Sequence, residues 1–314
     1  MAVAALGLAL GIAVTGTLRA DTFGTTGNEF TIDFVDIGNA GNTADSNNFG
    51  TVIYNYRIGT YEVSQNAITK ATASGMTNVT AGAWTGNRTA ANISWFEAAA
   101  FTNWLNTSTG HQAAYDLTWN GSAWTMSLWS LDQAWVVGGE NRYRNKDAYY
   151  FLPGESEWYK AAYYNSAGSN YYDYATGSNT APTATTGSTN ADTAVYTVPL
   201  FSDPSQPARV DSAGGLSAYG TMGQSGNVWE WTESMDGTAD NPNASRMVRG
   251  GDYLTTDTNN LSSGYRLTYT PTVENASLGF RVASVGAVPE PASGLLMLVA
   301  GGAYWLARRR SGKR

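Results

Sequence analysis

The residues best suited to chemistry lie in one hexapeptide, Gly226-Asn227-Val228-Trp229-Glu230-Trp231. Two tryptophans at alternate positions place large apolar side chains on one face of an extended segment, with the residue between them on the other face. A carboxylate between them is costly to bury unless a cation or several hydrogen-bond donors surround it. The hexapeptide is therefore either a metal site or an aromatic core around a hydrogen-bonded Glu230, and aromatic clusters in folded proteins are mostly core.

Nucleophilic and redox chemistry have few residues to use in this chain. The 314 residues include no cysteine and one histidine, His111. Without a thiolate there is no cysteine nucleophile, no thiolate ligand for Cu(I) and no disulfide. A Ser-His-Asp triad would have to use His111, and no Gly-x-Ser-x-Gly turn stands between a strand and a helix. The glycine-rich stretch at residues 220–226 lacks the Lys-Ser/Thr pair of a phosphate-binding loop.

The N-terminal residues 1–20 indicate a targeting segment rather than part of the fold. They are apolar, rich in small residues and end in Leu18-Arg19-Ala20 before the polar Asp21. This pattern predicts a secretory signal peptide cleaved near Ala20. The basic residues that usually begin such a signal are missing, so an N-terminal anchor is the alternative.

The C-terminal residues 288–314 contain three parts in order. Pro289-Glu290-Pro291 is a rigid break, residues 292–307 are apolar, and a basic cluster over residues 308–314 begins with Arg308-Arg309-Arg310. The apolar run is short for a helix, which needs about 20 residues to span a bilayer upright. An ordinary tail anchor is one interpretation.

The same order of parts closely resembles the PEP-CTERM sorting signal of Gram-negative bacteria. That resemblance implies an exosortase as the processing partner, cleaving near Pro-Glu-Pro. It also implies a transient anchor in the inner membrane through the C-terminal helix and a domain outside the cytoplasm, in the cell envelope or beyond it.

The charge of the region between these segments restricts the class of partner. It contains 12 basic and 24 acidic residues, a net charge of −12. An acidic surface of this size argues against nucleic acid and anionic membranes as partners. It is compatible with binding Ca²⁺ and also with solubility alone.

Apolar alternation predicts strands in the first part of this region. Two early strands are expected, one at residues 30–34 and one at residues 52–58. Residues 165–205 are mostly Asn, Thr, Gly, Ser and Ala, interrupted by tyrosines and a few aliphatic residues. We expect a long loop that aromatic side chains hold in place.

Helix-start signals occur at three positions. Ser64 predicts a helix that runs to about Ala73, and Ser94 with Glu97 forms a capping box for a second one. A third helix is expected from residues 152–158 onwards and turns Trp158 and the alanines behind it towards the core. These three segments account for most of the helix that the sequence predicts.

Taken in order, these segments resemble the formylglycine-generating enzyme, or sulfatase-modifying factor, family. The matching motifs are Tyr56-Arg57-Ile58-Gly59-Thr60-Tyr61-Glu62-Val63-Ser64, Ile93-Ser94-Trp95-Phe96-Glu97-Ala98, Phe151-Leu152-Pro153-Gly154-Glu155-Ser156-Glu157-Trp158, the hexapeptide 226–231, Arg249-Gly250-Gly251 and Leu278-Gly279-Phe280-Arg281. Each motif alone is weak, and their common order makes the signal strong. The resemblance implies an α+β domain at residues 21–287 with a variant of the C-type lectin fold, low regular secondary structure, three main helices and short antiparallel strands.

The resemblance does not extend to the catalytic residues of either active branch. In the oxidase branch two cysteines follow the Arg-Gly-Gly motif and bind the copper that activates oxygen. Those positions are Thr255 and Asn260 here. A second branch, similar to iron-dependent sulfoxide synthases, holds iron through several histidines, and this chain has only His111. Neither copper nor iron is therefore expected.

Calcium is the cofactor that the resemblance leaves open. The family holds it through backbone carbonyls that match Gly226 and Val228 and through a carboxylate that matches Glu230. A further side-chain ligand of the family falls on Gly223, so one ligand is lost. A second, weaker family site matches Asn190 and Asp203. The alternative for Glu230 is a hydrogen bond to loop amides.

The segment after Arg-Gly-Gly forms much of the ligand-binding face in relatives that bind ligands. The candidate ligand-binding residues in that segment are Asp252, Tyr253, Asn259, Tyr265 and Arg266. We expect an exported, exosortase-processed, non-catalytic recognition or structural module that binds polysaccharide or an envelope protein. The alternative is a formylglycine-generating-type oxidase or another enzyme with a cysteine-free site.

Overall fold

The computed structural model describes residues 19–80, 82–201, 205–236 and 241–286. The predicted signal peptide up to residue 18, Asp203 and the whole C-terminal sorting signal lie outside the described residues. Within the described ranges no helix is both long and apolar enough to cross a membrane.

A five-stranded antiparallel sheet contains strands from both ends of the domain. Its strands, in spatial order, are β1 (Arg19–Phe23), β2 (Phe30–Ile37), β3 (Tyr56–Gly59), β17 (Ala283–Val285) and β8 (Tyr150–Phe151). Strand β1 begins two residues before the predicted mature start at Asp21, and Asp21 forms an ion pair with Arg57 at 2.6 Å. The early strand expected at residues 30–34 is confirmed. The second one begins only at Tyr56, because the backbone bends at residues 53–54.

A second sheet of four strands contains the hexapeptide. Its strands, in spatial order, are β15 (Leu267–Tyr269), β14 (Arg246–Arg249), β13 (Trp229–Met235) and β16 (Leu278–Phe280). Strands β13 and β16 run parallel, which aligns Glu230 with Gly279 and leaves Arg281 just beyond. Strand β13 therefore brings the hexapeptide next to the C-terminal Leu-Gly-Phe-Arg motif.

Four two-stranded ribbons complete the described strands. They are β4 (Asp116–Trp119) with β5 (Trp124–Ser127), β6 (Ala134–Trp135) with β7 (Asn141–Asn145), β9 (Tyr164–Asn165) with β10 (Asn170–Tyr171), and β11 (Thr183–Thr185) with β12 (Thr193–Val195). The last pair is parallel and the other three are antiparallel. Residues 165–201 thus form a long connection with short strands, and an aromatic side chain holds it as expected, since the Tyr171 hydroxyl accepts from the Asn42 side-chain amide at 2.7 Å.

Within the described part of the chain three α-helices pack on these sheets, as the sequence predicts. They are α1 (Gln65–Ala73), α2 (Trp95–Ser108) and α3 (Glu155–Tyr163). The N-cap of α1 is Ser64, and Ser94 with Glu97 forms the predicted capping box of α2. Helix α3 buries Trp158 against the second sheet. Three short 3₁₀ turns lie at Val198–Leu200, Val210–Ser212 and Thr258–Leu261.

Candidate functional site

The hexapeptide begins in a turn that only glycine can make. Gly226 has φ +91°, and a Cβ at this position would collide with the carbonyl of Val195. The Gly226 amide donates to the Gly250 carbonyl at 2.7 Å, and the next amide donates to Val195 at 2.8 Å. This close backbone approach joins the hexapeptide to the Arg-Gly-Gly turn.

Glu230 lies at the centre of the domain and is paired with a protein cation. Its carboxylate accepts from Nε and one Nη of Arg281, each at 2.6 Å, and from the Trp158 indole at 2.8 Å. Glu230 and Arg281 are both fully buried. Arg281 also donates to the carbonyls of Gly59, Thr60 and Met222. The donors to Glu230 are thus side chains and not the loop amides considered from the sequence.

This arrangement does not fit the calcium ligands that the resemblance implies. Both oxygens of Glu230 are held by Arg281, so calcium would have to displace a fully bonded guanidinium. Gly223 contributes no side chain, and Asn190, of the second expected site, lies exposed in a loop. Among the described residues no three His, Cys, Asp or Glu side chains cluster as a metal site would require.

A second buried carboxylate, Glu62, lies beside this pair. Its Oε2 accepts from the side-chain amide of Asn227, whereas Oε1 has no partner within hydrogen-bond geometry among the described residues, and the backbone amide of Val228 favours the charged carboxylate. The carboxylate fills the space that a side chain at Gly223 would take, since a Cβ there would lie 3.1 Å from Glu62 Cδ. Burial, and next the charge of Glu230, raise the pKa of Glu62 well above its usual value. The sequence analysis did not select Glu62. The available signal was its position in the first matching motif, where it is the one acidic residue among apolar and small neighbours.

The candidate oxidase positions are tied into the fold. The Thr255 hydroxyl is buried, donates to the Asp252 carboxylate at 2.9 Å and accepts from the Asp252 amide at 3.2 Å. Asn260 is half-buried in the 3₁₀ turn Thr258–Leu261. Neither side chain supplies a soft ligand or a nucleophile that ionises near neutral pH.

Two of the five predicted ligand-binding residues are interior. Asp252 and Tyr253 are 7% and 4% exposed, and the ring of Tyr253 packs edge-on against Trp84. Both residues continue directly from the buried segment 246–251 and do not lie on the surface, and their role in binding stays a prediction. Asn259 is exposed, and Tyr265 and Arg266 are half-buried.

Arg266 does not line a groove of about 780 Å³ but contacts two residues that do, Glu155 and Phe49. Its guanidinium pairs with Glu155 at 3.1 Å and lies over the ring of Phe49. The groove walls are the loop around Phe49, the β6–β7 ribbon, the start of α3 and the end of β13. A groove of this size is within the range of sites that bind small or extended ligands.

The groove floor is a buried charge network that the sequence did not indicate. Arg144 bonds Glu157 at 2.9 Å and Glu233 at 2.8 Å, and its guanidinium stacks 3.7 Å from the Phe151 ring centroid. The Tyr54 hydroxyl donates to Glu157 at 2.6 Å. Burial favours the neutral carboxyl of Glu157, but the charge and hydrogen bonds of Arg144 outweigh it and lower the pKa. Glu157 could have been found from the sequence, because it lies in the motif at residues 151–158. Arg144 and Glu233 lie in none of the six motifs.

His111 is exposed and stacks on the ring of Tyr149, with the centroids 4.7 Å apart. It lies in the loop after α2, as expected for a solvated histidine. No second imidazole exists in the sequence to join it.

Comparison with known protein families matches this domain to one family model. The family model described as "Sulfatase-modifying factor enzyme 1-like domain", also called FGE-sulfatase, matches residues 30–285. The chain belongs to this family. A comparison with curated proteins returned no significant match.

Solved structures share the fold of this FGE-sulfatase domain at low sequence identity. The chain is similar to Treponema denticola variable protein 1, with 22% identity and a TM-score of 0.57 over 86% of this chain and 100% of that one. It is similar to CarF, with 21% identity and a TM-score of 0.58 over 81% and 98%. PvdO from Pseudomonas aeruginosa gives 16% identity and a TM-score of 0.50 over 84% and 98%. At these identities the likeness concerns the FGE-sulfatase fold alone.

Proposed function

We propose that this FGE-sulfatase domain is an exported recognition module that binds its ligand without oxidase chemistry. The observation that carries the proposal is the state of Thr255, whose hydroxyl is buried and bonded twice to Asp252 where the oxidase branch has a copper-binding cysteine. A hydroxyl of this kind neither binds Cu(I) nor forms a covalent link to a substrate thiol. The sequence has no cysteine elsewhere that could replace it.

The groove of about 780 Å³ is the site that we assign to recognition. Its floor is rigid, because Arg144 is fixed by two carboxylates. Its upper edge, Gly138-Gly139-Glu140, is exposed and polar. A preformed concave surface with aromatic rings and hydrogen-bonding groups is typical of sites for polysaccharides or protein segments. The net charge of −12 for residues 21–288 disfavours nucleic acid.

The proposed place of action is the cell envelope or the extracellular matrix. It rests on the sequence of the two ends, with a signal peptide at residues 1–20 and the Pro-Glu-Pro, apolar and arginine segments at residues 288–314. Exosortase processing near Pro289 and Pro291 would separate the domain from its transient anchor.

A binding experiment with the full chain tests the proposal. Envelope polysaccharide and envelope proteins are immobilised separately, and binding is measured for wild type, Glu140→Lys in the groove and Glu29→Lys outside it. We expect binding to one of the two fractions, weakened about tenfold or more in Glu140→Lys and unchanged in Glu29→Lys. Equal binding by all three chains, or no binding to either fraction, would refute the groove as the recognition site.

A further inference from the structure

A second concave site lies between the tip of the β4–β5 ribbon and the start of α2. It is a cleft of about 340 Å³ with walls formed by Trp119, Trp124 and Phe96. It has no lining residue in common with the larger groove. The two sites are therefore independent, and variants of one leave the lining of the other unchanged.

A hydrogen bond fixes one tryptophan of this cleft, and the other packs against it. Trp119 and Trp124 pair across the ribbon, with ring centroids 5.3 Å apart and planes at 64°. The Trp124 indole donates to the Asn78 carbonyl at 2.8 Å. At the ribbon tip, Asn120 Oδ1 accepts from two backbone amides, those of Ser122 and Ala123, at 3.0 and 2.9 Å. A rigid aromatic platform loses little conformational entropy when it binds a ligand.

One ring of the pair is exposed to solvent. Trp119 is 37% exposed, although the core of the domain is rich in buried aromatic side chains. Its polar neighbours at the cleft rim are Ser122, Thr272 and Glu274, all exposed. These groups offer two hydroxyls and a carboxylate at the edge of an apolar wall. Such a combination matches a ligand with one apolar face and a ring of hydroxyl groups.

The charges around the cleft define the ligand class further. The described residues that line it include Glu97 and Glu274 and no Lys, Arg or His. Partial burial, and then the charge of Glu97, raise the pKa of the Glu274 carboxyl, so the site disfavours further negative charge. Both oxygens of Glu97 already accept bonds, from the Thr80 amide and from Ser94. Phosphate, sulfate and uronate ligands are therefore disfavoured, and neutral hydroxyls have acceptors available.

We infer that this cleft binds one neutral pyranose ring of a polysaccharide, with the C–H face of the sugar stacked on Trp119 and its hydroxyls bonded at the rim. The inference goes beyond the proposed function, since it assigns a second site and a ligand class. The proposal of a sugar subsite in this cleft and the proposal of recognition in the groove can be refuted independently of each other.

The test uses the full chain in a polyoxyethylene detergent, which carries neither a sugar nor a quaternary ammonium group. Cellohexaose, laminarihexaose and maltohexaose are titrated by calorimetry, and tetramethylammonium chloride is the cationic probe. We expect one or more hexasaccharides to bind, about tenfold more weakly in Trp119→Ala and unchanged in Phe201→Ala, which removes an exposed ring elsewhere. Trp119→Phe retains a ring and should restore part of the affinity.

Three results would overturn the inference. They are no binding of any hexasaccharide, binding that Trp119→Ala leaves unchanged, and binding of tetramethylammonium alone, which would make the cleft a cation–π site. Glu274→Gln separates the last case further, because it keeps an acceptor for sugar hydroxyls and removes the charge that a cation needs. Retained hexasaccharide affinity in Glu274→Gln supports the sugar site, and its loss counts against it.

Discussion

Two buried carboxylates, Glu62 and Glu230, lie beside one cation, Arg281. The guanidinium bonds both oxygens of Glu230, so Glu62 is left with an oxygen that has no partner within hydrogen-bond geometry among the described residues. A second buried negative charge in this place is costly, and a proton on Glu62 removes it. The pair thus links the stability of the domain to pH.

Replacing Glu62 by glutamine should stabilise the domain at neutral and alkaline pH. The pKa of Glu62 is raised in the folded state, first by burial and then by Glu230. The stability that its proton contributes is fully present below the unfolded pKa, about 4.3, and is lost as the pH rises through the folded pKa. Glu62→Gln needs no proton, so we expect its free energy of unfolding to exceed that of wild type by about 1–2 kcal/mol at pH 8.

Urea unfolding at pH 5, 7 and 8 measures this difference. The gain of Glu62→Gln should grow with pH over this range, while Glu140→Gln, at an exposed position, should follow the wild-type profile. A constant difference between Glu62→Gln and wild type at all three pH values would contradict the account of Glu62.

Calcium should leave the thermal midpoint unchanged. A ligand that binds only the native state raises the midpoint, but Glu230 is already bonded to Arg281. We therefore expect no shift between a chelator and millimolar CaCl₂, followed by calorimetry or circular dichroism. A rise in the midpoint that Glu230→Gln abolishes would show that calcium displaces Arg281.

At the scale of elements, the parts that could be predicted were the local ones. The starts of α1 and α2 depend on Ser64 and Ser94, whose hydroxyls cap amides three residues ahead, so the chain segment alone contains the signal. Residues 52–55 carry a strand-like alternation, yet their conformation depends on packing against distant segments. The burial of Asp252 and Tyr253 likewise depends on segments distant along the chain, since the Tyr253 amide donates to the Asn227 carbonyl and the Tyr253 carbonyl accepts from the Val198 amide.

The turn before β13 should tolerate no side chain. Gly226→Ala adds a methyl group against the Val195 carbonyl at a φ of +91°, where L-residues are strained. We expect a loss of at least about 2 kcal/mol in the free energy of unfolding, measured in urea. Gly264→Ala is the control, since nothing lies within 4 Å of its added Cβ and it has no positive φ. Similar stability for both variants would mean that this turn adjusts easily.

At the scale of the whole molecule, the family and the fold class could be predicted and the sites largely could not. The six motifs are framework segments: Glu230, Arg281 and Trp158 come from three of them and meet in one buried cluster. The groove floor depends on the ion pair between Arg144 and Glu233, and the cleft depends on the pairing of Trp119 with Trp124 across the β4–β5 ribbon. No sequence pattern indicates either site. Arg144 and Glu233 are distant along the chain, and the two tryptophans become neighbours only when β4 pairs with β5.

The central proposal is that this FGE-sulfatase domain does not oxidise cysteine to formylglycine. The most direct measurement incubates the full chain with a cysteine-containing sulfatase peptide, copper, a reductant and oxygen, and follows the peptide by mass spectrometry beside a cysteine-containing oxidase of the family. We predict complete conversion by the active oxidase and no formylglycine from this chain, with or without copper. Formylglycine that accumulates in proportion to the concentration of this chain would contradict the account.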